Sequence, residues 1–398
     1  MTEIRTPTED EREQIGSVMS ISLNFGQAWA ERRAPTFRLE QFLVAVDDGR
    51  VVATSAARPF LQWFGARALP MTGVYAVATL PEHRGGGLAS ELVTRLMRRG
   101  REEGALISAL YPAAVRPYRG IGYEIAGTYT DHRIAISDLP QGPAPLRVEE
   151  YRTGDLDDVR AVFREVMSTQ NGPIYSELED WWTERILATR EPDVLFRVAV
   201  VRGENRAIEG FCPFRYGKGG GGDFDFAFGI ETAHLVARSE AALRSLLVYF
   251  RGFRGLGESL QWSGPPADPI ALLIEEQKIK TAWTFHWMLR LLDVPGALEG
   301  RGYPPVSGSL DLMLRDPAFE EDDGATYHLE AESGKVRASR VERAASAVAS
   351  IGTFSSIFTG FTSPADAVRV GALQADGAAV EFLSALFAGP PPWLPEWF

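Results

Sequence analysis

The clearest pattern in the chain is an apolar run, followed by glycines and then by apolar residues at helical spacing. The run is Val74–Leu80, and Gly85–Gly87 follow it after four intervening residues. Leu88, Leu92 and Leu96 then recur every four residues, as on the buried face of an amphipathic helix. The pattern predicts a buried strand that leads through a glycine turn into a helix.

The flanking patterns predict that residues 1–140 form a mixed α/β unit. Thr8 and Glu11 have the spacing of a capping box and are expected to begin the first helix. The turn sequence Asp47-Asp48-Gly49-Arg50 predicts a hairpin. The further strands predicted for this unit cover residues 42–46, 51–56, 105–110 and 129–136. The last of these strands is expected to close the sheet.

A linker of glycine, proline and small residues, 141–145, leads into a second unit over residues 146–295. The helices predicted for it cover residues 156–166 and 239–251, and the strands cover 195–201, 207–215 and 223–230. Gly217, Gly219 and Gly222 match the spacing G-x-G-x-x-G, but the element predicted after them is a strand and not a helix. We therefore expect no phosphate site in the second unit.

The last unit, over residues 300–398, alternates strands and helices in a small α+β layer. The predicted strands cover residues 308–314, 326–332 and 335–339, and the predicted helices cover 341–350, 364–370 and 377–387. The chain then ends in three prolines and an apolar segment with Trp393, Leu394, Trp397 and Phe398. Because a frayed terminus rarely carries so many large apolar residues, this tail is expected to dock on the protein.

Composition narrows the classes of function. The formal net charge of −12 over 398 residues argues against nucleic acid as a partner and mildly favours cationic ones. The one cysteine, Cys212, allows neither an internal disulfide nor a cysteine metal cluster. There is no H-E-x-x-H or G-x-S-x-G sequence, so metal and serine hydrolases are rejected. Without a membrane-length apolar run or a signal peptide, a cytoplasmic protein with no membrane partner is expected.

The glycine turn is a candidate anion site. Free N–H groups at a helix N-terminus bind anions, and the helix dipole adds partial positive charge. Arg84 adds a full charge beside the turn, so the pyrophosphate of coenzyme A or of a dinucleotide would suit it, although three glycines can also form a simple turn. The spacing Arg84-x-x-Gly87-x-Ala89 is not the dinucleotide pattern. It matches the Arg/Gln-x-x-Gly-x-Gly/Ala pattern of the GCN5-related N-acetyltransferases (GNAT), which this segment closely resembles.

The whole chain is similar to one branch of that superfamily, the enhanced intracellular survival (Eis) acetyltransferases. The resemblance is carried by Pro81–Arg84, Tyr118–Tyr123, Arg290–Val294 and the terminal Phe398. It implies an active N-terminal GNAT domain, a GNAT-like middle domain and a sterol-carrier-protein-like third domain. It also implies homohexamers that acetylate several amines of aminoglycosides, and in some members lysine side chains, from acetyl-CoA.

The resemblance also implies roles for individual residues. Tyr123 corresponds to the general acid, and the free α-carboxylate of Phe398 corresponds to the general base. The segment Ser22–Arg33 corresponds to a wall of the acceptor site, although packing of its aromatic residues into the core is equally expected. Glu396 would face away from the substrate if the tail is extended. The cofactor contacts correspond to Val77, Ala78, Thr79, Arg84, Gly85, Gly86, Gly87, Leu88, Ala89, Ser90, Tyr118 and Arg119.

Two alternatives remain at this point. The acceptor of an acetyltransferase could be a protein lysine or a polyamine and not a drug. In a non-enzymatic alternative, the third domain binds a lipid and the GNAT units are its scaffold. Retention of Arg84 and the glycine turn in the first unit favours the enzyme, since a scaffold has no need of them.

Overall fold

The computed structural model describes residues 2–187, 196–218 and 226–398. The chain forms three units, of which the first two share one large sheet and the third has a sheet of its own. Among the described residues, no helix is long and apolar enough to cross a membrane. Parts of two strands predicted for the second unit, together with Gly219 and Gly222, lie outside the described residues.

The first unit places its helices on a long, mostly antiparallel sheet, in which β4 and β5 are parallel. Its strands are β1 (Glu3–Arg5), β2 (Phe42–Asp47), β3 (Arg50–Phe64), β4 (Arg67–Thr79), β5 (Ile107–Leu110) and β6 (Glu124–Ala135). Its helices are α1 (Arg12–Leu23), α2 (Gln27–Arg33), α3 (Leu88–Glu102) and α4 (Val115–Arg119). The predicted capping box is confirmed, because the Glu11 carboxylate accepts the Thr8 N–H at 2.8 Å just before α1.

The apolar run at 74–80 is only the second half of a strand. β4 begins at Arg67 and pairs with β3 through a tight turn at Gly65 and Ala66, whose φ angles are 59° and 62°. Positive φ at both positions matches the right-handed twist of the two strands. The sequence pattern missed the first half of β4 because its residues alternate instead of forming a continuous apolar run.

The second unit repeats the strand–helix pattern of the first. Its strands are β7 (Arg147–Glu150), β8 (Ile174–Tyr175), β9 (Phe196–Arg202), β10 (Ile208–Lys218), β11 (Phe228–Thr232), β12 (Val236–Ala237), β13 (Gly257–Ser263) and β14 (Lys280–Leu291). Its helices are α5 (Leu156–Met167), α6 (Glu179–Trp181) and α7 (Glu240–Arg251), and α8 (Val294–Gly300) leads into the third unit. The side chain of Ser239 accepts the Ala242 N–H at 3.2 Å and caps α7, in a position where the first unit has its glycine turn.

One strand of the second unit lies inside the sheet of the first. β14 pairs with β5 on one edge, where Met288 faces Leu110, and with β6 on the other, where Phe285 faces Tyr129. β6 in turn pairs with β13, so the two units form one continuous sheet. The prediction that residues 129–136 close the first sheet is therefore wrong, since both edges of β6 are hydrogen-bonded to strands of the second unit.

The third unit is a five-stranded sheet covered by helices. Its strands are β15 (Gly308–Arg315), β16 (Ala325–Glu332), β17 (Lys335–Val341), β18 (Ala347–Ser350) and β19 (Leu373–Ala375), in the order β17-β16-β15-β18-β19. Its helices are α9 (Ile351–Thr359), α10 (Pro364–Arg369) and α11 (Gly377–Leu386).

The helix predicted over residues 341–350 is wrong. Ala347–Ser350 is a strand parallel to β15, with Ala347 and Ala349 buried on one face. The side chain of Ser350 then accepts the Thr353 N–H at 3.0 Å and begins α9. Sheet pairing and burial thus override the helix propensity of the alanines.

A buried ion pair joins all three units. The Arg290 guanidinium of β14 donates two hydrogen bonds, of 2.7 and 2.9 Å, to the Asp316 carboxylate of the third unit. It donates another of 2.8 Å to the Ile121 carbonyl of the first unit. Arg290 is fully buried, so this pair is part of the core and not of a surface contact.

Candidate active site

The glycine turn opens directly onto the N-terminus of α3. Gly87 is the N-cap, and both Gly85 and Gly87 have positive φ, 86° and 80°. The first intrahelical hydrogen bond runs from the Glu91 N–H to the Gly87 carbonyl, so the N–H groups of Leu88–Ser90 point out of the helix end. A Cβ added to Gly85, Gly86 or Gly87 would meet nothing within 4 Å. This open seat has the shape and the polarity that a pyrophosphate requires.

Arg84 connects the turn to the end of β4. Its Nε donates to the Thr79 carbonyl at 3.2 Å, and one terminal nitrogen donates to the Ser22 carbonyl at 3.4 Å. These bonds hold an exposed guanidinium beside the helix N-terminus. The predicted residues Val77–Thr79, Arg84 and Gly85–Ser90 therefore lie next to one another.

Arg84→Ala is expected to raise the KM for acetyl-CoA about 10- to 100-fold, since a hydrogen bond to a charged group contributes about 1.5–3 kcal/mol. The kcat should change little, because within acetyl-CoA the pyrophosphate is far from the thioester that reacts. Steady-state kinetics with varied acetyl-CoA measure both values. Arg95→Ala, on the exposed face of the same helix and paired with Glu91, is the control and should stay within about 2-fold of the native KM. Equal KM values for the two variants would contradict the assignment.

β4 and β5 diverge beside this seat. They pair from Met71 opposite Ile107 to Val74 opposite Leu110, where β5 ends while β4 continues to Thr79. On its other edge β4 carries a bulge at Ala76, whose φ is 54°. A bulge locally changes the direction of the backbone and interrupts the regular pairing of the strand. Sequence reasoning missed this bulge, because an alanine gives no sign of a positive φ.

Tyr123 lies beside the paired part of β4 and β5. Its hydroxyl is 2.6 Å from the Ser108 Oγ, which itself donates to the Thr72 carbonyl at 2.9 Å. The tyrosine is therefore the donor of the pair. Complete burial raises its pKa well above the ordinary value, so the hydroxyl keeps its proton at neutral pH. Ser108 was missed in the sequence, where its hydroxyl within an otherwise apolar strand was the available signal.

The other two predicted residues of this region lie on α4. Tyr118 is buried edge-on against Tyr123, with ring centroids 6.2 Å apart, and burial raises its pKa to about 12. Arg119 is exposed and pairs with Glu124 at 2.7 Å. Their cofactor contacts stay a prediction.

The C-terminal tail docks as expected, through backbone hydrogen bonds to the first two units. The Thr128 N–H donates to the Pro392 carbonyl at 3.1 Å, and the Leu394 N–H donates to the Thr128 carbonyl at 2.9 Å. The Trp393 N–H donates to the Asn171 carbonyl at 3.0 Å, and the Tyr111 hydroxyl donates to the Leu394 carbonyl at 2.7 Å. The path of the tail is therefore set by its backbone as well as by its apolar side chains.

The last residue packs on β4 just before the pairing of β4 with β5 ends. The Phe398 ring packs 5.3 Å from that of Phe60 and 5.9 Å from that of Tyr111. A Cβ added to Gly73 would lie 2.8 Å from the Phe398 ring, so this glycine leaves the space that the ring occupies. Gly73 follows Thr72, the residue that holds Ser108. Tyr123 and Phe398 therefore contact β4 near neighbouring residues but pack in two different clusters of the core.

Aromatic rings surround the end of the tail, and carboxylates line a neighbouring cavity that shares Tyr129 with them. Trp397 stacks on Tyr111 with centroids 4.0 Å apart and lies 5.9 Å from Trp283. Tyr129 packs on both tryptophans and also lines a cavity of about 280 Å³. Among the acidic residues around that cavity are Asp131, Glu184 and Glu231. Aromatic faces and carboxylates together are what a cationic amine binds.

Glu396 is buried beside His234, one of the residues that line this cavity. Both it and the facing His234 are buried, with the imidazole Nδ1 4.0 Å from a carboxylate oxygen. Burial raises the pKa of Glu396 to about 8 and lowers the pKa of His234 to about 3. Both side chains are therefore neutral near pH 7. The pairing could not be found in the sequence, because the two residues are far apart in the chain.

The stability of the native chain is expected to fall as pH rises from 4.5 to 8, and Glu396→Gln is expected to remove this fall. The unfolded carboxyl loses its proton near 4.5 and the folded one near 8, so in this interval the native state binds more protons. The free energy of unfolding therefore falls as pH rises through it. Melting curves measure this effect. The melting temperature of the variant, relative to that of the native chain, should be higher by a few degrees at pH 9 than at pH 5. Parallel pH dependences would contradict this.

Family models match each of the three units. The model described as an acetyltransferase (GNAT) domain matches residues 3–126, and a second model of that description matches residues 177–291. A sterol carrier protein domain matches residues 294–395. The predicted order of units, two GNAT-like units followed by a sterol-carrier-like unit, is confirmed. The fold and the open anion seat thus define a GNAT acetyltransferase, an enzyme class that uses acetyl-CoA.

Relatives specify the branch. An uncharacterized N-acetyltransferase from Streptomyces griseus is 26% identical over 425 residues, covering 100% of this chain and 99% of the relative. N-acetyltransferase Eis from Mycobacterium tuberculosis is 25% identical over 300 residues, covering 71% of this chain and 68% of the relative. A crystal structure of a GCN5-related N-acetyltransferase from Anabaena variabilis shares the fold, with a TM-score of 0.92 over both complete chains at 24% identity. The two GNAT domains and these relatives together support an Eis-family GNAT N-acetyltransferase.

Proposed function

We propose that this acetyltransferase moves the acetyl group of acetyl-CoA to primary amines of aminoglycoside-like polycations, at several positions, within a ternary complex. The observation that carries the proposal is the position of Phe398, whose ring lies against Gly73, one residue before the pairing of β4 with β5 ends. The donor seat lies beside the point where these two strands diverge. An amine held at the tail would therefore meet the thioester at this point.

The residues of the chain divide the chemistry between them. An amine arrives as an ammonium, and the Phe398 carboxylate accepts one of its protons directly or through water. The free amine forms a bond to the thioester carbon, and the β4 bulge at Ala76 offers backbone N–H groups to the developing oxyanion. As the carbon–sulfur bond breaks, Tyr123 donates its proton to the leaving thiolate. Proton exchange with solvent then restores both groups.

The environment of each group supports its role. A general base must be held within reach of the proton that it accepts. The ring contacts with Phe60 and Tyr111 hold the terminal residue in place. Tyr123 is kept protonated by burial, and its hydrogen bond with the Ser108 Oγ orients the hydroxyl.

The test is release of the coenzyme A thiol with a panel of acceptors at matched concentration. The panel contains an aminoglycoside, a linear polyamine and a lysine peptide. Turnover with the aminoglycoside, and mass increments for more than one acetyl group, are the expected results. Turnover with only the polyamine or only the peptide would show that the acceptor is a polyamine or a protein lysine and not an aminoglycoside. A melting temperature unchanged by acetyl-CoA would instead favour the lipid-binding scaffold.

A further inference from the structure

A loop of the third unit reaches into the first unit beside the cofactor helix. Phe319, in the loop Asp316–Asp323, is buried, and its ring faces three guanidinium groups. Arg98 and Arg101 of α3 lie 4.8 and 5.2 Å from its centroid, and Arg290 of β14 lies 4.4 Å from it. The same two arginines of α3 pair with acidic residues of the loop, at 3.0 and 2.7 Å. The loop therefore clamps the C-terminal half of the helix whose N-terminus is the anion seat.

The loop also supports the turn that carries Tyr123. Asp316 holds the Arg290 guanidinium, which donates to the Ile121 carbonyl at 2.8 Å. Gly122 follows with a φ of 86°, and a Cβ added to it would collide with that guanidinium. The guanidinium thus lies directly on the turn, one residue before the tyrosine.

The orientation of Asp316 is set within the loop itself. One carboxylate oxygen accepts the N–H groups of Ala318 and Phe319, at 3.0 and 3.1 Å. The Asp316 N–H in turn donates to the Asp323 carboxylate at 2.8 Å. A carboxylate held this way presents both oxygens to Arg290 in one geometry, which suits the planar fork of a guanidinium.

We infer that the third unit is a positioning element of the acetyl-transfer site, in which Asp316 and Phe319 place Tyr123 through Arg290. The inference rests on the proposed role of Tyr123 as the acid that protonates the leaving thiolate. A proton donor must be held within hydrogen-bond reach of its acceptor. A displacement of about 1 Å by a distant change can cost about 100-fold in rate.

The experiment is a double-mutant cycle between the loop and the tyrosine. Asp316→Asn is expected to lower kcat about 10- to 100-fold while the KM for acetyl-CoA stays within about 2-fold. In the Tyr123→Phe background the same change should cost less than about 2-fold, because no hydroxyl remains to be positioned. Phe319→Leu, which keeps an apolar side chain, is the milder second variant. Leu329→Ala, in the buried core of the third unit, controls for lost stability at an equal fall in Tm.

The outcomes separate the two proposals. The positioning role is supported if both loop variants lose kcat and Leu329→Ala does not. The loss should also disappear when the loop variants are made in the Tyr123→Phe background. A loss in Tyr123→Phe with none in either loop variant, or losses that multiply in the double variants, overturns the positioning role alone. Full activity of Tyr123→Phe overturns the acid role and the positioning role with it.

Discussion

Two residues appended after Phe398 are expected to lower kcat about 100- to 10,000-fold, the range that general acid–base catalysis contributes. The extension moves the free carboxylate away from its position on β4 and puts an amide in its place. An amide cannot accept a proton from the ammonium. The anion seat lies at the N-terminus of α3 and not at the tail, so the Kd for acetyl-CoA should stay within about 2-fold, as calorimetry would measure.

Phe398→Leu is the matched control for the extension. It keeps the terminal carboxylate and an apolar side chain, and it loses only ring contacts with Phe60 and Tyr111. Its kcat should fall less than about 10-fold, since the cost is one of packing and not of chemistry. Equal turnover by the native and the extended chain would place the base elsewhere. Equal losses in the extended chain and in Phe398→Leu would reduce the terminal residue to a packing role.

Arg290→Met is expected to reduce the free energy of unfolding by about 3–5 kcal/mol, because it leaves the Asp316 carboxylate buried without its partner. Both partners are at most 5% exposed, so water cannot replace the lost contact. The change also removes the donor to the Ile121 carbonyl at the junction of the first and third units. Denaturant unfolding followed by tryptophan fluorescence measures the loss.

The double variant Arg290→Met/Asp316→Leu should recover most of that stability, since two apolar side chains of similar volume often replace a buried ion pair without net cost. Arg95→Met is the surface control, and its change should stay within about 0.5 kcal/mol. A double variant that is less stable than Arg290→Met would show that the pair contributes more than the desolvation of its charges costs.

Local sequence patterns predicted the donor seat well. The elements that depend on pairing with distant strands were not predicted. The turn at Gly85–Gly87 and the helix after it depend on residues that are adjacent in sequence, so spacing alone identified them. β14 was missed because its partners, around Leu110 and Tyr129, precede it by more than 140 positions. The helix predicted at 341–350 failed for the same reason, since its strand partner β15 is remote in the chain.

The candidate site also combines residues that the sequence predicted with features that it did not. The resemblance assigned Tyr123 and Phe398. In the structure Tyr123 bonds Ser108 of β5, and Phe398 packs on Gly73 of β4. The positive φ of Ala76 leaves no trace in sequence, because it arises from the mismatch between two strands. Burial of Glu396 against His234 depends on the final path of the tail and is equally invisible to spacing.

The strand inserted at the centre of the first sheet also bears on how the protein is made. During synthesis, residues 1–140 emerge long before Lys280–Leu291, so the edges of β5 and β6 wait unpaired while the whole middle unit is translated. The catalytic sheet is completed only afterwards, by contacts of long sequence separation, which fold slowly. A gene fragment that encodes the first unit alone would therefore carry the donor seat without a finished sheet. Recombination could move this activity to another protein only as a nearly complete chain.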